Sequence, residues 1–241
     1  MKTKKLHSFI VLIMFMTQIP SAFTQHFSVG GKVGMDMSSY SNWSKDKSNM
    51  YDAATGLKHP PKIGLQIGAV GNYSFNDYVA LQVELLLQQK GQLIKYESEN
   101  ADSKYSNMSS ATITYITIPI LVRGNYSFGK FTLSAVLGPY IAIGVAAKSK
   151  YDVDGNSGSV TYKFSKPLED DSTGSFNRFD IGLSFGLMPS FEIGPGSIFL
   201  DFRYDLGFID APNPYKKPDN YYTHCNRNFG ISVGYLFKLG K

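Results

Sequence analysis

The chain has 241 residues, a mass of 26.7 kDa, and 24 Lys and Arg against 19 Asp and Glu, for a formal charge of +5. With 43% hydrophobic, 14% aromatic and only 18% charged residues it is too apolar for a disordered chain. A mean hydropathy of -0.15 with a single long apolar run excludes a polytopic helical membrane protein, which needs repeated stretches of about 20 apolar residues.

That run opens the chain. Lys2, Lys4 and Lys5 precede the apolar stretch Phe9 to Met16, and the small residues Ser21 and Ala22 follow, the pattern of a secretory signal peptide. Cleavage is expected after Thr24, so that residues 1–24 are the leader and 25–241 form one domain. The leader carries three Lys and no acid, and its loss leaves 21 basic against 19 acidic side chains, or +2. Nucleic acid then has no support as a partner, because no basic stripe or recognised motif remains. Cys225 is the single cysteine, so an internal disulfide is impossible, and an inert loop thiol is expected there.

From Phe27 onward the chain alternates with period two in segments rich in Val, Ile, Phe, Tyr and Thr. Eight strands are predicted: Phe27 to Met37, Lys62 to Ser74, Val79 to Tyr96, Thr112 to Phe128, Phe131 to Ala147, Phe176 to Ile193, Ile198 to Asp210 and Asn226 to Leu239. They exceed the five or six residues usual in soluble sheets and suit tilted membrane-crossing strands. Their connections alternate in length. Ser38 to Pro61, Glu97 to Ala111, Lys148 to Ser175 and Ala211 to Cys225 are long, while Asn76-Asp77, Gly129-Lys130 and Gly194 to Ser197 are tight. Hairpins crossing a membrane, with short turns at one rim and long loops at the other, give this rhythm. The fold class expected is all-β: an eight-stranded antiparallel up-and-down transmembrane β-barrel, with short periplasmic turns and four long extracellular loops.

Side-chain parity assigns the two faces. Ile198, Leu200, Phe202, Tyr204, Leu206 and Phe208 share one face of the seventh strand, and Asp201, Arg203 and Asp205 share the other. The third, sixth and eighth strands repeat the division, and across the strands the polar face also collects glycines such as Gly30, Gly34, Gly138 and Gly234. An eight-stranded barrel is only wide enough inside for its own side chains, so the face of small residues should line the lumen and the bulky apolar face should meet lipid. Lys32, Lys90, Arg123, Arg178, Arg203 and Lys238 then face Asp36, Glu84, Asp180, Glu192, Asp201 and Asp205, six charges of each sign, as a structural lumen network. No nucleophile, base and orienting group accompany them, and eight strands leave no useful water channel.

Other sites carry weaker signals. Asp152-Val-Asp154-Gly-Asn156 resembles part of a calcium loop but lacks the downstream bidentate Glu, so a solvated acidic loop is expected. His26, His59 and His224 have no ligand-pair spacing. No metal or cofactor is expected. Trp43, Tyr51, Tyr221 and Tyr222 in the long loops fit a partner-binding surface or interface anchors equally.

Tyr115-Ile-Thr-Ile-Pro119-Ile-Leu-Val-Arg-Gly-Asn-Tyr126, followed by Val136-Leu-Gly138-Pro139-Tyr140, resembles the central hairpin of the PorT-like outer-membrane β-barrel family of Bacteroidetes. Val29 to Gly34, Glu84 with Gln88 to Gly91, Arg203 to Gly207 and Asn226-Arg-Asn are similar to its other recurring segments. The resemblance spans the mature chain and implies an eight-stranded outer-membrane barrel. It implies little biochemistry, although the family's namesake is linked to protein secretion and gliding. A departure is the ending Phe237-Lys-Leu-Gly-Lys241, where barrels commonly end in an aromatic residue.

The leading expectation is therefore a non-enzymatic outer-membrane barrel with a filled polar lumen. Its partners would be outer-membrane lipid and, through the long loops, other envelope proteins. A soluble secreted barrel holding an apolar ligand inside is the alternative, and it requires the Phe202, Tyr204 and Phe208 face to point inward. A lipid-modifying enzyme would need a catalytic Ser/His or Asp/His set at a rim, which the sequence does not display.

Overall fold

The computed structural model describes residues 26–42, 57–100, 103–153, 156–162, 164, 176–212 and 222–239. The expected leader lies outside the described residues, as do Trp43, Tyr51 and Tyr221. Ten strands form: β1 (His26–Tyr40), β2 (Leu57–Lys58), β3 (Lys62–Ser74), β4 (Val79–Asn100), β5 (Ser103–Phe128), β6 (Phe131–Val153), β7 (Asn156–Tyr162), β8 (Phe179–Ile193), β9 (Gly196–Asp210) and β10 (Cys225–Leu239).

Eight of them close a ring. The order β1-β3-β4-β5-β6-β8-β9-β10 is antiparallel throughout and returns from β10 to β1, so within the wall no strand edge stays open. Closure runs from Phe27↔Leu239 to Tyr40↔Asn226. It needs glycine on the inner side of β1, because a Cβ at Gly30 or Gly34 would collide with the backbone carbonyls of Tyr235 or Ile231. Tight turns at Gly129-Lys130 and Gly194-Pro195 use glycines with φ of 63° and 59°, a region that side-chain-bearing residues rarely adopt.

Accessibility alternates along each strand as the residue types do. On β9 Ile198, Leu200, Phe202 and Phe208 are exposed, while Asp201, Arg203 and Asp205 are buried. The apolar face is thus the outside of the ring, the reverse of what an interior for an apolar ligand requires. Aromatic side chains ring the short-turn rim, with Tyr73 edge-on to Phe75 at 5.1 Å and Tyr126 to Phe128 at 4.4 Å between ring centres. Outer-membrane barrels carry such a girdle where the wall meets the membrane interface.

Three expectations about the connections are corrected. The loop expected over Glu97 to Ala111 is mostly ladder, since β4 and β5 stay paired from Gln92↔Ala111 out to Asn100↔Ser103. Likewise the loop expected over Lys148 to Ser175 begins as strand, with β6 running to Val153 and folding back as β7. There the strands keep their backbone hydrogen bonds while outward positions such as Lys95, Ser110, Lys148 and Lys150 are polar, so hydropathy stops marking them. Cys225, expected in a loop, is the buried first residue of β10, and its N–H donates to Ser41 Oγ at 3.0 Å. On β6 the pairing jumps from Thr114↔Ala146 to Tyr115↔Gly144, which leaves Val145 as a bulge and keeps Ala142, Gly144 and Ala147 all on the buried side.

Candidate functional site

The inward side chains form layers along the barrel axis. Nearest the short-turn rim, Arg123 donates from Nε to Asn125 Oδ1 (2.8 Å) and Ser134 Oγ (3.0 Å). Val70, Met188, Phe199 and Leu236 then form a buried apolar cluster, with the Phe199 ring lying against Gly234, where a side chain would not fit.

Above this floor comes a closed tetrad of charges. Lys32 Nζ reaches Glu84 Oε2 at 2.8 Å and Asp201 Oδ2 at 2.7 Å, and Arg203 Nη2 reaches Glu84 Oε1 at 3.1 Å and Asp201 Oδ2 at 2.7 Å. Two cations and two anions cancel, and every member is buried. A buried charge left alone would cost several kcal/mol, so mutual pairing is the condition on which this layer exists. Gln82 Nε2 adds a donor to Glu84 Oε1 at 2.5 Å. The tetrad ties β1, β4 and β9 together across the lumen.

The next layer centres on Lys90. Its ammonium lies 3.2 Å from Asp205 Oδ2 and 4.5 Å from the Tyr140 ring centre, a cation–π geometry. Ser184 Oγ donates to Asp205, and Asn228 Nδ2 bridges Asp205 Oδ2 (3.2 Å) and Asp36 Oδ1 (3.0 Å). Tyr140 OH and Asn226 Nδ2 both donate to Asp180 Oδ2 at 3.0 Å. Toward the long-loop rim, Ile113, Tyr115, Tyr140, Ala142 and Ala147 form a second apolar cluster, against which Tyr162, Phe164 and Phe176 pack. Tyr162 and Phe176 meet edge to face at 5.2 Å. The ionic layers lie between an apolar floor and an aromatic cap.

Of the twelve charges expected in the lumen, nine are buried there: Lys32, Asp36, Glu84, Lys90, Arg123, Asp180, Asp201, Arg203 and Asp205. Arg178, Glu192 and Lys238 are corrections. Arg178 precedes β8 and is exposed, and Glu192 pairs with Lys238 in solvent at the short-turn rim. All three stand at strand ends, and parity gives a side chain's face but not its depth.

The neutral partners that satisfy these charges, Tyr140, Ser184, Asn226 and Asn228, were missed as site residues. Part of their signal was there: Ser184 falls in phase with Asp180 on the inner face of β8, and Asn226 and Asn228 share the inner face of β10, flanking the outward Arg227. The apolar floor was missed because Phe199 and Leu236 resemble lipid-facing residues by type and differ only by phase.

The remaining candidates lie at the long-loop rim. His224 is buried, with Nδ1 3.1 Å from the Ser41 carbonyl, and its N–H donates to Asp210 Oδ1 at 2.8 Å. Asp152 stands one residue before the end of β6 and Asn156 opens β7, Asp154 lies outside the described residues, and Tyr222 is exposed. Among the described residues no group of three or more His, Cys, Asp or Glu is placed to hold a metal ion.

A family model for an outer membrane protein beta-barrel domain matches residues 18–212. Among curated proteins none matches this sequence. Among solved structures the chain is similar to OprG of Pseudomonas aeruginosa, with 12% identity and a TM-score of 0.42 over 91% of this chain and 97% of that one. It is also similar to the attachment invasion locus protein Ail of Yersinia pestis, with 13% identity and a TM-score of 0.39 over 88% of this chain and 99% of that one. Neisserial surface protein A has 14% identity and a TM-score of 0.36 over 88% and 97%.

Proposed function

Since the chain belongs to the outer membrane protein beta-barrel domain family, we propose that it is a non-enzymatic integral barrel of the outer membrane, sealed along its axis, that works through what it presents at the long-loop rim. One observation carries this reading: the charged tetrad Lys32, Glu84, Arg203 and Asp201 fills the lumen and neutralises itself while the bulky apolar residues face outward. A lumen so occupied is a brace for the wall and has no room for a substrate. The long-loop rim faces the cell exterior and the short turns face the periplasm, the orientation in which hairpins insert from inside with the termini trailing. Residues 1–24 are the export leader that delivers the chain to that route.

The PorT-like resemblance supports a finer reading, in which the barrel is an envelope component that meets other envelope proteins through its projecting strands. Its segments Tyr115 to Tyr126 and Val136 to Tyr140 form neighbouring stretches of β5 and β6 and so supply one continuous patch of wall.

Fractionation of the native envelope tests the localisation: the protein should sediment with outer membrane and need detergent for release. Recovery as a soluble periplasmic protein contradicts it. In planar bilayers the purified barrel should show no stable conductance steps, and sustained steps would overturn the sealed lumen.

A further inference from the structure

The projecting sheet has two edges of different make. On one side β2 covers β4 with only two residues and is followed by Pro60 and Pro61, which supply no N–H. On the other side β7 runs along β6 for seven residues, from Ala147↔Tyr162 to Val153↔Asn156, without a register shift. Natural edge strands are guarded by charge, proline, bulges or extreme shortness. The β7 sequence Asn-Ser-Gly-Ser-Val-Thr-Tyr has no charge and no proline, and its ladder has no bulge.

The outer edge of β7 is open. Beside β6 the lane of β8 ends where Gly144 N–H donates to the Arg178 carbonyl at 2.6 Å, and the lane of β9 ends where Phe176 bridges Pro212. Tyr162 meets Phe176 edge to face, so β7 rises from the top of β8 into the next level. Among the described residues β6 is its one strand partner, and no further backbone hydrogen bond links β7 to a described residue. The ladder also fixes its two faces. Val160 shares a face with Gly158, against which the Tyr151 ring lies, while Ser157, Ser159 and Thr161 share the other and are exposed.

We propose that the free edge of β7 takes up an extended segment of another envelope protein as an added strand, with apolar side chains on the Val160 face alternating with Ser or Thr on the Ser159 face. The inference rests on the reading that the projecting strands meet envelope proteins, and it names the strand and the mode. What the edge offers decides the occupant: a row of backbone donors and acceptors without charge is complementary to another backbone. Main-chain bonds then supply affinity, and the alternating side chains supply selectivity, since β-branched and aromatic pairs and Thr–Ser pairs are the favourable neighbours across a ladder.

The test reconstitutes the mature chain in lipid vesicles and follows hydrogen exchange of the β7 amides with a probe peptide of alternating threonine and valine on a glycine–serine tail. The peptide should slow exchange in β7 by about tenfold and leave the wall strands unchanged. The same peptide N-methylated throughout, which has no N–H to donate, should have no effect. Val160→Lys, which adds the charge that guards natural edges, should abolish the slowing, while Val160→Ile should keep it. Heat-modifiable gel mobility reports that each variant folds. Unchanged β7 exchange in wild type, equal slowing by the methylated peptide, or undiminished slowing in Val160→Lys overturns the proposal. Exchange in β7 as slow as in the wall without peptide would show the edge taken by this chain itself, and slowing that grows with protein concentration alone would show a second copy there. Either result also overturns the foreign strand. Failure of the chain to enter vesicles at all would refute the barrel reading itself, a result distinct from entry with an unresponsive β7.

Discussion

The wall and the projecting strands are one continuous ladder with two different stabilising principles. Within the wall each strand has two hydrogen-bonded neighbours, and the alternation separates lipid from a lumen of paired charges. Past Gln92 on β4 and Ala147 on β6 the strands form a narrow sheet with β2 and β7, whose exposed outward positions on β6 and β7 include Lys148, Lys150, Ser157, Ser159 and Thr161. The same backbone geometry thus serves two solvents. A substitution should therefore be costly in the wall and tolerated on the projection, and this contrast orders the predictions.

The largest effect should follow from breaking the tetrad. Glu84→Ala leaves Lys32 and Arg203 sharing only Asp201, and removing one partner of a buried pair costs about 3–5 kcal/mol. Urea unfolding in detergent should show that loss, and a midpoint equal to wild type would mean that the charges do not brace the wall. Next in size is arginine on the lipid face. Leu85→Arg, near the middle of β4, should cost about 2–4 kcal/mol in lipid vesicles. Ser157→Arg, on the exposed outer side of β7 opposite Asp152, should stay within about 0.5 kcal/mol of wild type. Equal penalties at the two sites would erase the distinction between wall and projection. Smallest is Lys238→Ala at the short-turn rim, where the pair with Glu192 is half exposed, so the change should be under about 1 kcal/mol and should fade at high salt.

The same contrast explains what the sequence revealed. Wall strands were legible because lipid and lumen demand opposite residue types at successive positions, as on β9, where Leu200, Phe202 and Tyr204 interleave with Asp201, Arg203 and Asp205. The β4–β5 and β6–β7 extensions were illegible because water on the outer side accepts Ser, Thr, Lys and Asn alike, which erases the period without breaking the ladder. Depth was the other hidden quantity. Arg178, Glu192 and Lys238 share their type with the buried charges, and only the position of the ring closure places them outside. The lumen's neutral donors were hidden for a chemical reason: Asn226, Asn228 and Tyr140 acquire importance from the carboxylates they meet across the barrel, contacts far apart along the chain.

The central claim is that the charged face of each wall strand points into the lumen and the apolar face into lipid. Spin labels placed one at a time along Ile198 to Leu206, in a Cys225→Ser background and in lipid vesicles, measure this residue by residue through collision with oxygen, which concentrates in the hydrocarbon. Collision should be high at 198, 200, 202, 204 and 206 and low at 201, 203 and 205. A flat profile, or one with the opposite phase, would contradict the account.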